Sequence, residues 1–193
     1  SYQEALNTLL VAARTGEGFI KVVGEVGTGK TLLCRKFLGA LESENFVTAY
    51  IPNPYLEPMT LLLAVGDELG VTYPENVNQH QLLKALNQFL MDTHAGGKRV
   101  LLCLDEAQAM PIESLETLRL LSNLETETSK LLQVVLFGQP ELDTRLDDPA
   151  IRQLVGDFLV GHELQASTAG SGAEMDKVLG EEVIDLVILD LKL

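Results

Sequence analysis

The sequence lacks any long apolar run, although hydrophobic residues make up 46% of its 193 positions. No stretch reaches the roughly 18 consecutive apolar residues that a membrane-spanning helix needs, so we expect no membrane span. The first residues, SYQEALNTLLVAA, contain neither a basic leader nor a cleavage site, so no signal peptide is expected, and without an initiating Met we expect a trimmed start. The hydrophobic content is typical of one packed domain, alone or with an appendage.

Cysteine is scarce as well. Cys34 and Cys103 are far apart and lie in apolar surroundings, which favours two buried free thiols in a reducing compartment over a disulfide framework. The histidines do not have the spacing of metal ligands, either with the cysteines or with one another (His80, His94 and His162). We therefore expect no metal centre built on cysteine or histidine.

Basic residues are outnumbered, because 14 Lys and Arg stand against 28 Asp and Glu and leave a formal net charge of −14. Such a charge repels phosphate backbones at long range and argues against a nucleic-acid partner, although a local basic patch stays open. The balance is ordinary for a cytoplasmic protein.

Short apolar runs alternate along the chain with segments of helical periodicity. The alternation predicts an α/β fold, with a parallel sheet of about five strands flanked by helices. Asn78 is expected to cap one of the helices, and Gly96-Gly97 to end it. The predicted strands are 19–23, 47–51, 100–104 and 131–137, and the predicted helices are 2–13, 30–41, 58–69, 79–94 and one that begins at Pro111.

The character of the sequence changes after Leu154. Residues 166–173, ASTAGSGA, predict a flexible linker, and a short helix at 174–182 and a terminal strand at 183–193 are expected to follow. We therefore predict a core at 1–154 and an atypical tail at 155–193.

A glycine-rich loop between the first predicted strand and the next helix matches the pattern G-x-x-x-x-G-K-[ST]. Backbone N–H groups approach phosphate oxygens closely where Cβ is absent and positive φ is available, which Gly27 and Gly29 provide. Lys30 adds a charge for the β- and γ-phosphates, Thr31 offers a hydroxyl to Mg²⁺, and the helix N-terminus faces the phosphates. The predicted nucleotide contacts are Gly24, Glu25, Val26, Gly27, Thr28, Gly29, Lys30, Thr31 and Leu32.

The apolar strand at 100–104 ends in two carboxylates, Asp105 and Glu106. Parallel sheets bind ligands at the carboxyl ends of their strands, so both acids are expected beside the phosphate loop. Asp105 is predicted to hold Mg²⁺ through its water shell, and Glu106 to orient and deprotonate the water that attacks the γ-phosphate. Acids also follow strands as helix caps, but the preceding phosphate loop favours a P-loop NTPase.

Further motifs are LDEAQ at 104–108, LRLLSNLET at 118–126 and KLLQVVLFGQPEL at 130–142. With the loop GEVGTGKT they resemble the secretion-type AAA+ ATPases, the ExeA/GspA-like proteins of type II secretion, and most of all the branch that serves mannose-sensitive haemagglutinin (MSHA) pilus biogenesis. The resemblance covers residues 1–154 and implies a AAA+ core with the sheet order 5-1-4-3-2. It also implies ATP hydrolysis with Mg²⁺, a homo-oligomer, and a cytoplasmic position beside inner-membrane pilus or secretion assembly proteins.

Two amides are candidates for sensing the nucleotide. Gln139, at the tip of the fourth predicted strand, falls where the resemblance places a polar sensor of the γ-phosphate, and a turn residue before Pro140 is the alternative. Asn123 is open between a sensing residue and a helix-surface amide, of which we favour the second.

The chain departs from the family pattern after Leu154, where an arginine finger and a helical lid are expected, so the lid domain is predicted to be missing. Arg145 and Arg152 remain as finger candidates, with surface charges as the favoured alternative. Residues 185–193 resemble the phosphoacceptor strand of receiver domains, with Asp190 in the phosphorylated position. An amphipathic terminal strand is favoured there, and no phosphorylation is assigned.

Three functions stay open at this point. The first is an ATPase whose hydrolysis drives pilus or secretion-system assembly through Lys30, Thr31, Asp105, Glu106 and Gln139. The second is a nucleotide-dependent switch with little hydrolysis, because an arginine supplied in trans is worth about 10³–10⁵ in rate. The third is a DNA-transposition helper ATPase, which the acidity disfavours.

Overall fold

The apolar runs predicted as strands form one parallel sheet. The structure is a computed structural model that describes residues 2–16, 18–42, 44–122, 124 and 130–146, and the backbone of 186–191. The strands run in the order β2-β3-β4-β1-β5, which is the 5-1-4-3-2 order that the resemblance implied. Their bounds are β1 (Phe19–Gly24), β2 (Phe46–Ile51), β3 (Arg99–Leu104), β4 (Leu132–Gly138) and β5 (Leu186–Leu191).

The helices occupy the connections that parallel pairing requires. Two elements escaped the sequence analysis, a 3₁₀ turn at Ala107–Ala109 and the helix after β4, because neither is long enough to show a helical period. The helices are α1 (Tyr2–Thr15), α2 (Lys30–Leu41), α3 (Pro58–Leu69), α4 (Gln79–Ala95), α5 (Ile112–Ser122) and α6 (Glu141–Leu146).

Helices cover both faces of the sheet. Successive side chains of β3 point to opposite faces, so Leu101 and Cys103 pack on one side while Leu102 and Leu104 pack on the other. The first side is covered by α1 and α2, and the second by α3, α4 and α5. Burial on both faces explains why the strands are continuous apolar runs instead of alternating ones.

The predicted helix ends are confirmed. Asn78 accepts a hydrogen bond from the backbone of Gln81, whose side chain accepts one from the backbone of Asn78, so the pair forms a capping box at the start of α4. Gly96 caps the other end of α4, and Gly97 follows with a φ of 76°. The thiols of Cys34 and Cys103 are buried and free, as expected.

The strand β5 comes from the stretch that the sequence predicts as a tail, and it pairs along the whole of β1. In this register Asp190 stands opposite Val23. The predicted linker at 166–173, the predicted helix at 174–182, Asn123 and Arg152 lie outside the described residues. Within the described part of the chain, no helix combines the length and the apolar character that crossing a membrane requires.

Candidate functional site

The predicted site residues meet at the carboxyl edge of the sheet because the strands that carry them are neighbours. The phosphate loop follows β1, the acidic pair follows β3, and β4 lies between those two strands. Val23 is paired with Gly138, and Leu104 with Leu136, so the three strands end at nearly the same level. Three segments that are distant in sequence therefore emerge side by side, where parallel sheets bind their ligands.

The phosphate loop has the backbone that its glycines were expected to supply. Gly27 and Gly29 have φ values of 83° and 80°, in the left-handed region that side chains other than glycine rarely adopt. No heavy atom lies within 4 Å of a Cβ placed on either glycine, so the loop is open above them. The turn is closed by Thr28, whose backbone N–H and hydroxyl both donate to the carbonyl of Glu25.

Lys30 lies at the start of α2 and is 6% exposed. Its Nζ donates to the carbonyl oxygens of Gly24 and Glu25, at 2.7 and 2.8 Å. An ammonium group has three donors, so one N–H remains for a further acceptor at the loop. The backbone thus holds the lysine charge against the loop, where a bound phosphate would meet it.

Thr31 and Asp105, the two predicted metal residues, are in direct contact. The hydroxyl of Thr31 donates to Oδ2 of Asp105 at 2.6 Å, and the hydroxyl of Tyr50 donates to the same oxygen at 3.4 Å. The other oxygen, Oδ1, accepts the backbone N–H of Glu106 at 3.0 Å. Burial, with the nearby Asp105 charge, raises the pKa of Tyr50 to about 12, so its hydroxyl keeps the proton that it donates.

Two of the predicted nucleotide contacts have largely exposed side chains. Val26 in the loop is 76% exposed and Leu32 in the first turn of α2 is 54% exposed. Neither belongs to the buried core on the two faces of the sheet. Their place in the nucleotide site therefore rests on sequence position alone.

Glu106 has an unusual backbone. Its φ is 54° and its ψ is 38°, and among the described residues it is the one that combines a side chain with positive φ. A residue other than glycine in this region costs on the order of 1–3 kcal/mol, and such strain gathers at functional sites. This backbone conformation of Glu106 leads the chain from β3 into the 3₁₀ turn at Ala107–Ala109.

Three side chains join in what we call the acid cluster, namely Glu106, Gln108 and Gln139. Gln108 Nε2 donates to Glu106 Oε2 at 2.6 Å, and Gln139 Nε2 donates to the same oxygen at 3.2 Å. The backbone N–H of Gln139 donates to Gln108 Oε1 at 3.1 Å, which closes the ring. The hydrogen bond from Gln108 lowers the pKa of Glu106; partial burial opposes this, and Gln139 and the charge of Lys30 add to the lowering.

Gln139 is a turn residue, the alternative that the sequence left open, and its side chain also contacts the acid. Its carbonyl accepts the backbone N–H of Leu142, so it stands in the turn that begins α6. Its side chain nevertheless reaches Glu106, and the residue before it, Gly138, lies so close to Leu142 that an added Cβ would be 2.7 Å from Cδ2 of that leucine. The turn therefore aims the Gln139 amide at the acid.

Arg145 of α6 is engaged inside the molecule. Its guanidinium donates from Nη1 to the carbonyl of Gln108, and from Nη2 to the carbonyl of Met110 at 2.6 Å. The expectation of a plain surface charge was wrong, because the arginine bridges α6 to the 3₁₀ turn. The sequence does not indicate these contacts, because the acceptors are backbone carbonyls, which every residue carries.

Two further residues of the site were not assigned a role from the sequence. Gln108 belongs to the LDEAQ motif, and its position two residues after Glu106 is the signal that the sequence offers. Tyr50 lies one residue before the end of the predicted second strand, and nothing in its local sequence points to Asp105. The contacts of Tyr50 with Asp105 and of Gln108 with Gln139 are tertiary.

The donors present fit Mg²⁺ as an ion held mainly by phosphates and water. Within the described residues, no group of three or more His, Cys, Asp or Glu side chains could hold a metal ion by itself. Mg²⁺ usually keeps several waters and takes one or two protein carboxylates plus substrate phosphates. The Thr31 hydroxyl and the Asp105 carboxylate, side by side at the loop, are such a set.

The opposite edge of the sheet has an open cavity that contains none of the predicted site residues. Its charged groups are engaged with each other or with the backbone: Arg14 pairs with Glu44, and Arg99 donates to the carbonyls of Ala13 and Arg14. The lining consists of Arg14, Glu44, Asn45, Phe46, Gly97 and Arg99. The carboxyl edge therefore remains the candidate site.

Comparison with known proteins gives one family and one curated relative. A family model described as an AAA domain matches residues 13–146. The General secretion pathway protein A of Aeromonas hydrophila is 45% identical over 151 residues, which cover 78% of this chain and 27% of that protein. The chain thus spans about a quarter of the length of this relative.

Solved structures share the fold. Cdc6p from Pyrobaculum aerophilum matches with a TM-score of 0.59 at 20% identity, over 80% of this chain and 43% of that one. The Aeropyrum pernix ORC2 protein matches with a TM-score of 0.57 at 20% identity, over 80% and 44% of the two chains. The predicted α/β P-loop NTPase fold is confirmed.

Proposed function

The chain belongs to the AAA domain family, and we propose that it is an ATPase, which binds ATP with Mg²⁺ at the carboxyl edge of its sheet and hydrolyses it. The family agrees with the ExeA/GspA-like resemblance of the sequence, and the curated relative belongs to the same group. The MSHA pilus branch remains a prediction.

One observation carries the proposal. The Thr31 hydroxyl and the Asp105 carboxylate are 74 residues apart in sequence and 2.6 Å apart in space. They meet beside a loop whose glycines have positive φ with open space around them, and whose lysine is buried against the loop. A magnesium–triphosphate site requires four groups together, namely a hydroxyl, a carboxylate, a lysine and an open glycine loop.

Each residue has a separate task in this proposal. Bound Mg²⁺ would neutralise negative charge on the β- and γ-phosphates. Thr31 and Asp105 would hold the ion, Thr31 by its hydroxyl and Asp105 through water, and Lys30 would bind the phosphates. Glu106 accepts the proton of the attacking water, and Gln139 lies beside it as the sensor of the γ-phosphate.

The use of the hydrolysis is inferred from the relative. Its name places it in a general secretion pathway, and 45% identity over 151 residues supports a related role. We propose that hydrolysis drives assembly of a type II secretion system or an MSHA-like type IV pilus. The chain would act as a homo-oligomer on the cytoplasmic side, with inner-membrane assembly proteins as its partners.

A nucleotide-dependent switch is the second candidate. It is favoured by Arg145, because the guanidinium is held by two backbone carbonyls and would have to leave them to act as a finger. Without an arginine at the γ-phosphate, hydrolysis is slower by about 10³–10⁵. Single-turnover rates at increasing protein concentration separate the candidates, because only an enzyme that completes its site between subunits speeds up with concentration.

The site assignment is tested by paired substitutions. Lys30→Ala should weaken ATP binding by about 100-fold or more, since the lost charge meets two phosphates and a charged hydrogen bond is worth about 1.5–3 kcal/mol. Lys84→Ala, on the exposed face of α4, is the matched control and should bind as the unsubstituted chain does. Equal affinity in the Lys30 variant and the control would refute the site.

Glu106→Gln separates binding from chemistry. It keeps the shape of the side chain and removes the base, so hydrolysis should fall by about 10²–10⁴-fold while ATP still binds. Titration with a fluorescent ATP analogue and release of labelled phosphate measure the two effects. A variant that hydrolyses at the unsubstituted rate would exclude Glu106 as the base.

A further inference from the structure

The side chain of Gln108 connects two parts of the site that no sequence pattern links. Its amide touches the Glu106 carboxylate at one end and the backbone of Gln139 at the other, at 2.6 and 3.1 Å. It is half-buried in the 3₁₀ turn, between the end of β3 and the end of β4. A Cβ placed on Gly138 would be 3.2 Å from Gln108 Oε1, so the amide is packed closely against the end of β4.

The partners of this amide fix its orientation. A carboxylate oxygen only accepts hydrogen bonds, and a backbone N–H only donates them. The Nε2 end of Gln108 must therefore face Glu106, and the Oε1 end must face Gln139. No other uncharged side chain of this length offers one donor end and one acceptor end, so glutamine is required by both contacts together.

The acid cluster also distinguishes the two oxygens of Glu106. Both amides donate to Oε2. Among the described residues no donor reaches Oε1, which leaves that oxygen for a water molecule. The Glu106 carboxylate is thus held through Oε2, and its Oε1 is available to accept a hydrogen bond from water.

We propose that Gln108 is a positioning residue for ATP hydrolysis, which ties the Glu106 carboxylate to the tip of β4 and presents Oε1 to the attacking water. This inference rests on the proposed function, because it assigns Glu106 the role of the base. It adds that a movement of Gln139 is transmitted to the base through the Gln108 amide. Gln108 itself need not touch the nucleotide.

The surrounding backbone supports such a role. The left-handed conformation of Glu106 turns the chain so that a side chain two residues later can reach back to the carboxylate. Arg145 holds the carbonyl of Gln108 from α6, so the backbone of the positioning residue is anchored independently of its amide. A substitution of the amide is therefore expected to leave the 3₁₀ turn in place.

Two substitutions of Gln108 separate positioning from simple packing. Gln108→Met keeps the length and removes both hydrogen bonds. Gln108→Glu keeps the shape and the acceptor for Gln139, but places a second carboxylate against Glu106, which strongly favours a shared proton. Gln88→Met, on the exposed face of α4, is the matched control.

The first readout does not depend on activity. In the full chain with isotope-labelled glutamate, the side-chain carboxyl signal of Glu106, identified by its loss in Glu106→Gln, is recorded at one neutral pH. Its chemical shift should change in Gln108→Met, because the shorter of the two hydrogen bonds to Oε2 is lost, and should change further in Gln108→Glu, where a carboxylate replaces the donor. Gln88→Met should leave this signal where the unsubstituted chain has it.

The second readout is the reaction. Gln108→Met should reduce kcat by about 10- to 100-fold, since a small misplacement of a catalytic group has effects of that size, with ATP affinity within about twofold. An unchanged Glu106 signal with unchanged kcat, or a loss of melting temperature and ATP affinity without any change in that signal, would each overturn the proposal.

Failure of the proposed function gives a different pattern. If Lys30→Ala binds ATP normally, or if Glu106→Gln hydrolyses normally, the assignment of the site fails whatever Gln108 does. If the Glu106 signal moves in both Gln108 variants while the reaction does not, the contact is real but does not position the base, and the inference is rejected on its own.

Discussion

The phosphate loop and the acid cluster lie on the same edge of the sheet, but they are built in different ways. The loop is a continuous segment whose shape is set by its backbone conformation, with Gly27 and Gly29 in the left-handed region. The acid cluster is made of side chains from two segments, and its contacts join Glu106 to Gln139, 33 residues further along the chain. The conformation of the loop is thus encoded locally, whereas the geometry around Glu106 depends on how β3 and β4 pair.

The two regions also differ in where strain is placed. In the loop, positive φ falls on glycines, which adopt it without steric cost. In the acid cluster it falls on Glu106, where the neighbouring structure must compensate on the order of 1–3 kcal/mol. The hydrogen bonds of Gln108, Gln139 and Arg145 are the contacts available for that compensation. If the proposed function holds, substitutions in the loop should change ATP affinity, and substitutions in the acid cluster should change turnover.

The largest effect is expected in the loop. Gly29→Val forces a β-branched side chain into a φ of 80°, which costs up to about 3 kcal/mol, so the loop relaxes and ATP affinity falls by about 100-fold. Gly39→Val on α2 is the control, because that glycine also has open space around it but no positive φ. Calorimetric titration measures the affinity. Equal binding in both variants would show that the loop conformation is not needed.

The next effect is expected from the anchor of the 3₁₀ turn. Arg145→Ala leaves the carbonyls of Gln108 and Met110 without their donor, which should lower the free energy of unfolding by about 1–3 kcal/mol and reduce turnover, with ATP affinity kept. Arg14→Ala removes an exposed ion pair with Glu44 and should cost less than about 1 kcal/mol. Urea denaturation compares them. A cost no larger than that of the control would contradict the anchoring role.

A smaller effect concerns pH. Gln139→Leu removes the longer of the two hydrogen bonds to Glu106, so the pKa of Glu106 should rise, but less than in Gln108→Met. The lowered pKa keeps the Glu106 carboxylate ionised as the pH falls. Losing the hydrogen bond therefore moves the acid limb of the pH–rate profile for hydrolysis to higher pH. Rates of hydrolysis measured across acidic pH locate this acid limb. An acid limb that stays in place or moves to lower pH would exclude the contact as a determinant of the pKa of Glu106.

The smallest effect is expected beside the proposed metal ligands. Tyr50→Phe removes a long hydrogen bond to Asp105, 3.4 Å, while the Thr31 contact to the same oxygen remains. We expect the Mg²⁺ dependence of ATP binding to change by about twofold, which corresponds to less than about 0.5 kcal/mol. Mg²⁺ titration at fixed ATP measures it. A tenfold change would assign Tyr50 to the metal site itself.

Most elements of the fold could be predicted because their signals are local. The helix at Pro58–Leu69 begins with a proline and is capped by Gly70, and the helix at Lys30–Leu41 begins where the loop ends, so both have the bounds that the sequence predicts. The helix α6 could not be predicted, since six residues are too few to show a period. Its position is set instead by Leu142 against Gly138 and by the contacts of Arg145.

The same distinction between local and tertiary signals applies to the site. The roles predicted for the loop residues and for Asp105 and Glu106 follow from residue types at fixed spacing, and the structure brings these residues together. The contacts of Gln108 with Gln139, of Tyr50 with Asp105 and of Arg145 with the 3₁₀ turn depend on which strands become neighbours and at what register. No spacing in the sequence indicates these three contacts, because each joins segments that are separated by other helices and strands.

The sequence by itself determined the α/β class, the order of most elements, and the residues that the phosphate loop and the acidic pair contribute. Only the tertiary structure decided that Glu106 takes a left-handed backbone, that Gln108 holds its carboxylate, and that Arg145 fastens the turn. The physical reason is the distance along the chain over which each effect acts. Glycine freedom and apolar periodicity act within a few residues, whereas a hydrogen-bond partner is chosen by whatever group the packed sheet brings within about 3 Å.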